Sequence, residues 1–270
     1  MSESHTPVEG TPRLNTTVAH NARVWNYWIG GKDNYAVDQQ VGDHVASMFP
    51  LIRDVARADR GFLGRAVRFL AEERGIRQYL DIGTGLPTAD NTHEIAQRAA
   101  PESRIVYVDN DPIVLLHARA LLTGTPEGAT AYVDADVHDP DTILERAAAT
   151  LDLTRPVAVM MLGILNFVLD TGEAREIVRR IMAPLPSGSH LALTHPTYEP
   201  ELGGAGQRAA MAFWNENATP PITARGSADV AAFFDGLELL APGLVSCSAW
   251  RSGLQDPAVV PQFGAVAVKP

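Results

Sequence analysis

The sequence predicts an α/β fold in which helices cover both faces of a mostly parallel sheet. From residue 76 onward, short apolar runs alternate with segments of helical length, which is typical of parallel strands joined by crossover helices. The first run leads directly into a glycine turn, as strand-to-helix connections in such folds do. With 46% hydrophobic residues among 270, the chain can also bury a large core. Strands are predicted at 78–82, 105–109, 131–134, 157–162, 190–195 and 264–268.

The segment before the first strand is predicted to be helical. Residues 1–18 are polar, so we expect a disordered or loosely attached arm. Residues 19–75 are predicted to form an N-terminal helical cap, with helices at 37–48 and 51–74. The apolar residues of the second helix repeat at helical spacing, and Gly75 follows it as a C-cap.

Residues 76–270 are predicted to form the main domain. A Pro/Gly-punctuated insertion at about 196–226 follows the fifth strand, and a segment at 237–247 precedes the last strand. Insertions at this edge of a sheet usually shape substrate choice, because loops there carry function. Helices are expected between the strands at 91–100, 112–122, 141–151 and 172–183, and after the insertion at 228–234.

Composition excludes several classes of protein. The chain has 22 Lys+Arg against 32 Asp+Glu and a formal net charge of −10, which argues against general nucleic-acid binding. Cys247 is the single cysteine, so an intramolecular disulfide and a Cys-based zinc cluster are excluded. The N-terminus lacks a signal-peptide core, and no apolar run approaches the roughly 20 residues that span a bilayer. We therefore expect a cytoplasmic protein without a membrane segment.

The sharpest local pattern is the glycine turn after the first strand. Gly83 and Gly85, on either side of Thr84, let the chain turn tightly and let a ligand approach the backbone. An ordinary strand-to-helix turn is the alternative interpretation. The acidic residue Asp81 comes just before the turn.

Two further acids strengthen the case for a binding site. Asp109 ends the second strand, 109 − 85 = 24 residues after the turn, where a carboxylate can accept both hydrogen bonds of a ribose diol. Asp136 follows the third strand, and its alternative interpretation is a solvated turn acid. Because the carboxyl ends of parallel strands meet at one edge of a sheet, we expect these acids to converge.

A nicotinamide dinucleotide and S-adenosylmethionine both suit this geometry. The dinucleotide fingerprint needs a third glycine where this chain has Thr88, and Pro87 removes a backbone N–H that a pyrophosphate would use. S-adenosylmethionine carries no phosphate, and Asp81 could meet its methionine ammonium. The pattern therefore favours S-adenosylmethionine.

Four motifs carry a resemblance to a known family: ARVWNYWIGGKDNYAVD (22–38), YLDIGTGLPTADNTHE (79–94), YVDNDPIVL (107–115) and FFDGLELLAPGLV (233–245). Together they resemble a bacterial family of S-adenosyl methyltransferases that was long filed as a domain of unknown function. The resemblance implies a Rossmann-like class I methyltransferase fold with extra N-terminal helices. The implied sheet has seven strands in the order 3-2-1-4-5-7-6, the last of them antiparallel.

The resemblance also implies roles for the residues at the strand ends. Gly83, Thr84 and Gly85 would face the methionine and ribose of the cofactor, and Asp109 would bind the ribose hydroxyls. Asn110 would lie beside the adenine.

The remaining adenine contacts follow from the same resemblance. Asp136 would accept the exocyclic amine, and the backbone N–H of Val137 would meet the ring. Pro87 and Asn166 depart from the family pattern, since relatives are expected to carry a glycine and a histidine there. Asn166 therefore weakens the assignment of a general base at that position.

The aromatic motif near the N-terminus could add a lid to the cofactor pocket. Core packing is the plain interpretation of its tryptophans and tyrosines, but the break at Gly30 and Gly31 allows a close approach to a ligand. We hypothesise that Tyr27, Gly31 and Asn34 line the cofactor pocket.

No strong catalytic base is visible in the sequence. A base is needed only if the methyl acceptor is a protonated hydroxyl or amine. The weak candidates are His195 and Tyr198, at the end of the fifth strand, and Asn166 after the fourth. No metal-spaced cluster is present.

Three functional hypotheses follow. The first is an S-adenosylmethionine-dependent methyltransferase acting on an unidentified small molecule. The second is a non-catalytic protein that senses the cofactor or serves as a partner, and the third is an NAD(P)-dependent oxidoreductase. Met211, Phe213 and Trp214 in the insertion suggest an acceptor with hydrophobic surface, although they could instead close a homodimer interface.

Overall fold

The computed structural model describes residues 16–88, 90–114, 124–202 and 206–270. Residues 1–15 of the predicted arm lie outside this part of the chain, as does most of the predicted helix at 112–122, which is helical over 112–114. The strands are β1 (Ala19–His20), β2 (Gln78–Ile82), β3 (Arg104–Asp109), β4 (Ala129–Asp134), β5 (Ala158–Leu162), β6 (His190–Pro196), β7 (Ala218–Thr219), β8 (Glu238–Leu239), β9 (Val245–Ser246) and β10 (Gln262–Val268).

Helices fill the intervals between strands, as predicted. The predicted helix at 228–234 is an α-helix that ends in a 3₁₀ turn, and further 3₁₀ turns follow β5 at Leu165–Phe167 and β6 at Pro200–Leu202. The α-helices are α1 (Asn21–Trp28), α2 (Ala36–Met48), α3 (Ile52–Glu72), α4 (Thr92–Ala99), α5 (Pro140–Ala147), α6 (Thr171–Met182), α7 (Gln207–Asn217) and α8 (Ser227–Ala231).

The central sheet has the strand order β4-β3-β2-β5-β6-β10-β8. Strands β4, β3, β2, β5 and β6 are parallel, and β10 runs antiparallel to both β6 and β8. The predicted segment at 237–247 contributes two short pieces, β8 and β9, which pair with opposite ends of β10. The α/β class with a mostly parallel sheet is thus confirmed.

Both faces of the sheet are buried, because successive strand residues point to opposite faces and each face has its own helices. Tyr79 of β2 packs in one hydrophobic cluster with Phe62 and Leu70 of α3. Its neighbour Leu80 packs in the other, with Ile143 of α5 and Ile177 of α6. The strands therefore read as nearly continuous apolar runs.

The N-terminal helices and the insertion form a roof over the carboxyl edge of the sheet. β1 pairs in parallel with β7, which ties the start of the chain to the insertion. Trp28 of α1 lies 6.2 Å from Trp214 of α7, ring centre to ring centre. Both tryptophans belong to the cluster that also covers the α3 face of the sheet. Within the described ranges, no helix has the length and apolar character needed to cross a bilayer.

Candidate functional site

The glycine turn after β2 adopts a conformation that needs glycine. Gly83 has φ +78° and Gly85 has φ +65°, both in the left-handed region. The N–H of Gly83 donates to Val108 O at 2.8 Å, and the N–H of Gly85 donates to Asp109 Oδ2 at 2.9 Å. The turn is therefore fixed to β3, and a Cβ on Gly85 would meet no atom within 4 Å. The side-chain position of Gly85 is open space.

That open space belongs to a cavity of about 330 Å³ under the roof. This volume lies in the range of small-ligand sites, which is about 300–1,000 Å³. The walls come from the carboxyl ends of the parallel strands, from α1 and α3, and from α7 of the insertion. The predicted cofactor residues that line it are Asp81, Gly83, Thr84, Gly85, Asp109, Asn110, Asp136 and Val137.

Asp81 is a buried acid at the end of β2. Its Oδ2 accepts a hydrogen bond from Thr92 Oγ1 at 2.6 Å, at the start of α4. Burial raises the pKa of Asp81 to about 6, against the opposing effects of the Thr92 hydrogen bond and the Arg60 charge. A cation arriving beside Asp81 would offset the penalty of burying its charge.

Asp109 is held by two backbone donors. Its Oδ1 accepts from the N–H of Asp111 and its Oδ2 from the N–H of Gly85, both at 2.9 Å. Burial nevertheless raises its pKa. Each carboxylate oxygen has a second lone pair, so Asp109 can accept two more hydrogen bonds from a pair of neighbouring hydroxyls.

Asp136 and Asn110 are joined at the adjacent strand ends. Asn110 Nδ2 donates to Asp136 Oδ2 at 2.8 Å, and the N–H of His138 donates to Asp136 Oδ1 at 2.9 Å. Partial burial raises the pKa of Asp136, but the hydrogen bonds from His138 and Asn110 outweigh it and the net shift is downward. Asp136 therefore stays ionised, and the buried Val137 beside it lines the cavity.

The predicted lid residues lie outside the cavity walls. Tyr27 OH donates to Asp43 Oδ1 at 2.8 Å, and Asn34 Nδ2 donates to Gly31 O and Asn26 Oδ1, both at 3.0 Å. A Cβ on Gly31 would collide with the side chain of Asn26. Asn26 itself is buried and lines the cavity, so Gly31 and Asn34 hold a cavity residue in place.

His195 cannot serve as the base. Its side chain is fully buried and does not line the cavity. Arg225 Nη1 lies 2.8 Å from Nε2, and Pro196 O lies 2.8 Å from Nδ1. Because arginine only donates, Nε2 accepts and Nδ1 donates, so neither nitrogen has a lone pair left. Burial lowers the pKa of His195 to about 3, and the ring stays neutral.

The other two candidates for a base differ in their position relative to the cavity. Tyr198 lies away from the cavity, with the guanidinium of Arg208 at 4.2 Å from its ring centre. Asn166 does line the cavity, from the 3₁₀ turn after β5, but an amide is not a base at neutral pH.

Sequence reasoning missed two charged residues on α3. Asp59 and Arg60 line the cavity, and burial lowers the pKa of Arg60 although the Asp81 charge opposes this. A pattern for Asp59 existed, since it falls on the apolar stripe with Val55, Phe62 and Ala66. An acid on the buried face of a helix needs a partner or a function.

The cavity fits S-adenosylmethionine. Asp81 and Arg60 offer one charge of each sign for an amino acid group, and Asp109 offers acceptors for a ribose. The buried Oδ1 of Asn21, on the cavity wall, has no hydrogen-bond partner among the described residues and could accept another donor. No cluster of His, Cys, Asp or Glu in the described ranges could hold a metal ion. Fold and site together define a Rossmann-like S-adenosylmethionine-dependent methyltransferase.

Comparisons with known proteins agree. The model of the S-adenosyl methyltransferase family matches residues 7–270. A DUF574 family protein from Streptomyces avermitilis is 46% identical, with a TM-score of 0.89 over 94% of this chain and 99% of its own. A candidate methyltransferase from Thermobifida fusca is 35% identical, with a TM-score of 0.85 over 97% of this chain and 99% of its own. Among curated proteins, none matches this sequence.

The chain belongs to the S-adenosyl methyltransferase family. It uses S-adenosylmethionine as its methyl donor, so the methyl-transfer activity in the first of the three functional hypotheses is confirmed.

Proposed function

We propose that this methyltransferase acts on a small molecule that binds beside the cofactor in the cavity under the roof. The convergence of Asp81, Asp109 and Asp136 beside the open face of Gly85, next to an apolar chamber, carries this proposal. Both reactants would meet between the strand ends and the roof, a space that suits a small acceptor better than a nucleic acid. The net charge of −10 also disfavours nucleic acid.

Different residues at and near the strand ends bind different parts of the cofactor. Asp81 binds the methionine ammonium, and Arg60 beside it binds the methionine carboxylate. Asp109 accepts the ribose hydroxyls, while Asp136 and the backbone N–H of Val137 meet the adenine. Each of these residues lines the cavity, which supports the assignment.

S-adenosylmethionine supplies a methyl group activated by a positively charged sulfonium. The protein contributes position, since holding the acceptor in line with the methyl group can be worth up to about 7–11 kcal/mol. The roof formed by α1, α2 and α7 covers the cavity and orients the acceptor.

The insertion contributes to this chamber. Met211 and Trp214 line the cavity, and the ring of Phe213 lies 4.1 Å from that of His44 on α2. Their placement supports the acceptor hypothesis for these residues. We place the reaction in the cytoplasm, because the lone Cys247 is a buried free thiol.

The ribose assignment has a matched test. We expect Asp109→Asn to weaken S-adenosylmethionine binding about tenfold, because a charge-assisted hydrogen bond is worth about 1.5–3 kcal/mol. Isothermal titration calorimetry measures the change. Asp134→Asn is the control, since Asp134 pairs in register with Asp109 but is exposed and lies off the cavity. Equal affinities for the two variants would move the ribose elsewhere.

A further inference from the structure

A buried acid lies in the wall of the cavity. Asp59 is 7% exposed and projects from the middle of α3. Gln262 Nε2 of β10 donates to its Oδ1 at 2.9 Å, and Thr194 of β6 also hydrogen bonds to it. These two bonds fix the carboxylate at the cavity wall.

Two more buried acceptors share this cavity. Asn166 is 7% exposed and Gln207 is 4% exposed, and both line the cavity. Their amide oxygens have no hydrogen-bond partner among the residues that the structure describes. A buried polar atom without a hydrogen-bond partner costs free energy of folding. We therefore expect each oxygen to accept a hydrogen bond from a ligand.

The surroundings of these acceptors are apolar. Val55 and Leu63 flank Asp59 on the same face of α3, and Trp28 of α1 lines the cavity. Ala210 and Trp214 lie one and two turns beyond Gln207 on α7, and they line it too. A ligand that fits this chamber is mostly apolar and carries hydrogen-bond donors.

The acceptor groups lie next to the cofactor turn. A Cβ on Gly163, just after β5, would lie 3.9 Å from both Asn166 Oδ1 and Gln262 Nε2. A Cβ on Gly83 would come within 2.6 Å of Ile164, the next residue. The short loop 163–164 therefore separates the glycine turn from the cluster around Asp59.

We propose that the methyl acceptor is a mostly apolar small molecule that donates a hydroxyl or amine hydrogen bond to Asp59, and that Asp59 removes this proton during methyl transfer. This inference rests on the proposed function and names its substrate class. Asn166 and Gln207 accept further donors of the same molecule.

The step balances without a further reactant. A lone pair on the acceptor oxygen or nitrogen forms the bond to the methyl carbon. The carbon–sulfur bond breaks, its electron pair stays on sulfur, and the positive charge of the sulfonium is lost. The acceptor's proton passes to a carboxylate oxygen of Asp59 and from there to solvent. Burial raises the pKa of Asp59, which makes it a stronger base than an exposed aspartate.

The test compares two probes that differ by one donor: β-naphthol and its methyl ether. Binding of each is measured by calorimetry to the full chain saturated with S-adenosylhomocysteine. We expect wild type to bind β-naphthol about tenfold more tightly, since a hydrogen bond to a charged group is worth about 1.5–3 kcal/mol. Asp59→Asn should reduce this preference to about threefold or less.

The matched control is Asp54→Asn on the same helix. Asp54 is exposed and pairs with Arg57, so the preference for β-naphthol should stay at its wild-type value. A preference unchanged in Asp59→Asn would overturn the proposal, as would failure of both probes to bind wild type. If Asp59→Asn misfolds, its thermal transition is lost. Asp59→Leu, which also removes the carboxylate, then replaces it, and the same loss of preference is expected.

Different measurements test the proposed function and the role of Asp59. S-adenosylmethionine affinity, measured alongside, should stay within about twofold of wild type in Asp59→Asn, because Asp59 is assigned to the acceptor. Loss of cofactor binding in wild type would overturn the proposed function, whereas normal cofactor affinity with an unchanged probe preference in Asp59→Asn would overturn the role of Asp59 alone.

Discussion

At the scale of single residues, the site depends on buried carboxylates whose charge is costly until a ligand arrives. The pKa of Asp81 is raised from 3.8 to about 6, mainly by burial. Its contribution to folding stability is therefore complete below about pH 3.8 and is lost as the pH rises through about 6. A shift of this size corresponds to about 3 kcal/mol at neutral pH. A bound ammonium group would offset that destabilisation.

Cofactor affinity should accordingly depend on pH through Asp81. If the ammonium binds ionised Asp81, then below about pH 6 Asp81 must release its proton when the cofactor binds. In this range the affinity for the cofactor should decrease about tenfold for each unit by which the pH is lowered. Titration calorimetry from pH 5 to 7, in buffers of different ionisation enthalpy, measures both the slope and the proton release. Asp81→Asn should bind more weakly with no slope. An identical slope in wild type and Asp81→Asn would assign the proton to another group.

The type of a residue and its place in the sequence did not identify the candidate base. His195 has a suitable side chain at the expected strand end, yet Arg225 and Pro196 O occupy both ring nitrogens. Asp59 lies in the middle of a helix, far from any strand end in the sequence. It reaches the cavity only because α3 packs on the sheet beside β10, which supplies Gln262.

At the scale of elements, the turn between β2 and α4 combines backbone strain with ligand access. Gly83 and Gly85 both have positive φ, but their surroundings differ. A Cβ on Gly83 would collide with Ile164, whereas a Cβ on Gly85, which lines the cavity, would meet no atom within 4 Å. The first glycine therefore serves folding, and we propose that the second serves binding.

Alanine substitutions should separate these roles. Gly85→Ala should destabilise the fold by about 1–2 kcal/mol from left-handed strain, and should weaken S-adenosylmethionine binding about tenfold or more because its methyl group enters the cavity. Gly75→Ala is the control, since it has φ +66°, no atom within 4 Å of a Cβ and no place on the cavity. Calorimetric affinity and denaturant unfolding measure the two effects. Equal cofactor affinities in the two variants would contradict the role of Gly85.

Element boundaries were predictable where a clear stop exists. The strand at 78–82 is confirmed. The C-cap predicted at Gly75 lies two residues earlier, at Glu73, and Gly75 follows it with φ +66°. The helix predicted at 141–151 ends earlier, because α5 stops at Ala147 and the chain continues in turns, with Thr150 N–H donating to Ala147 O. That alanine-rich stretch contains no glycine or proline that would mark the end.

At the scale of the whole molecule, distant parts of the chain build one cavity. β1 near the N-terminus pairs with β7 in the insertion, and Trp28 packs with Trp214. The roof is therefore held by contacts across almost 200 residues of sequence, whereas the floor is the sheet edge. The division into a cap at 19–75 and a main domain stays a prediction, since α3 packs directly on the sheet.

Ligand binding should stabilise the roof selectively. S-adenosylmethionine at about 100 times its Kd should add about 2.7 kcal/mol to the free energy of unfolding, while NAD and NADP should add nothing. Thermal unfolding measures this difference. Hydrogen exchange should slow in α1 and α7 on addition of S-adenosylhomocysteine and stay unchanged in α6, which does not line the cavity. Equal protection of all three helices would contradict a selective roof.

The sequence by itself determined the α/β class, the main strands of the sheet and the convergence of the acids at the strand ends on one cavity. These depend on local pattern: hydrophobic period, a glycine turn and acids at strand ends, which parallel strands must bring to one edge. Tertiary structure alone decided which aromatic and polar residues face the cavity. Asn26 replaced Tyr27 on its wall, and Asp59 met Gln262 across 203 residues. The direction of a side chain depends on how helices pack, and packing joins residues that no local pattern relates.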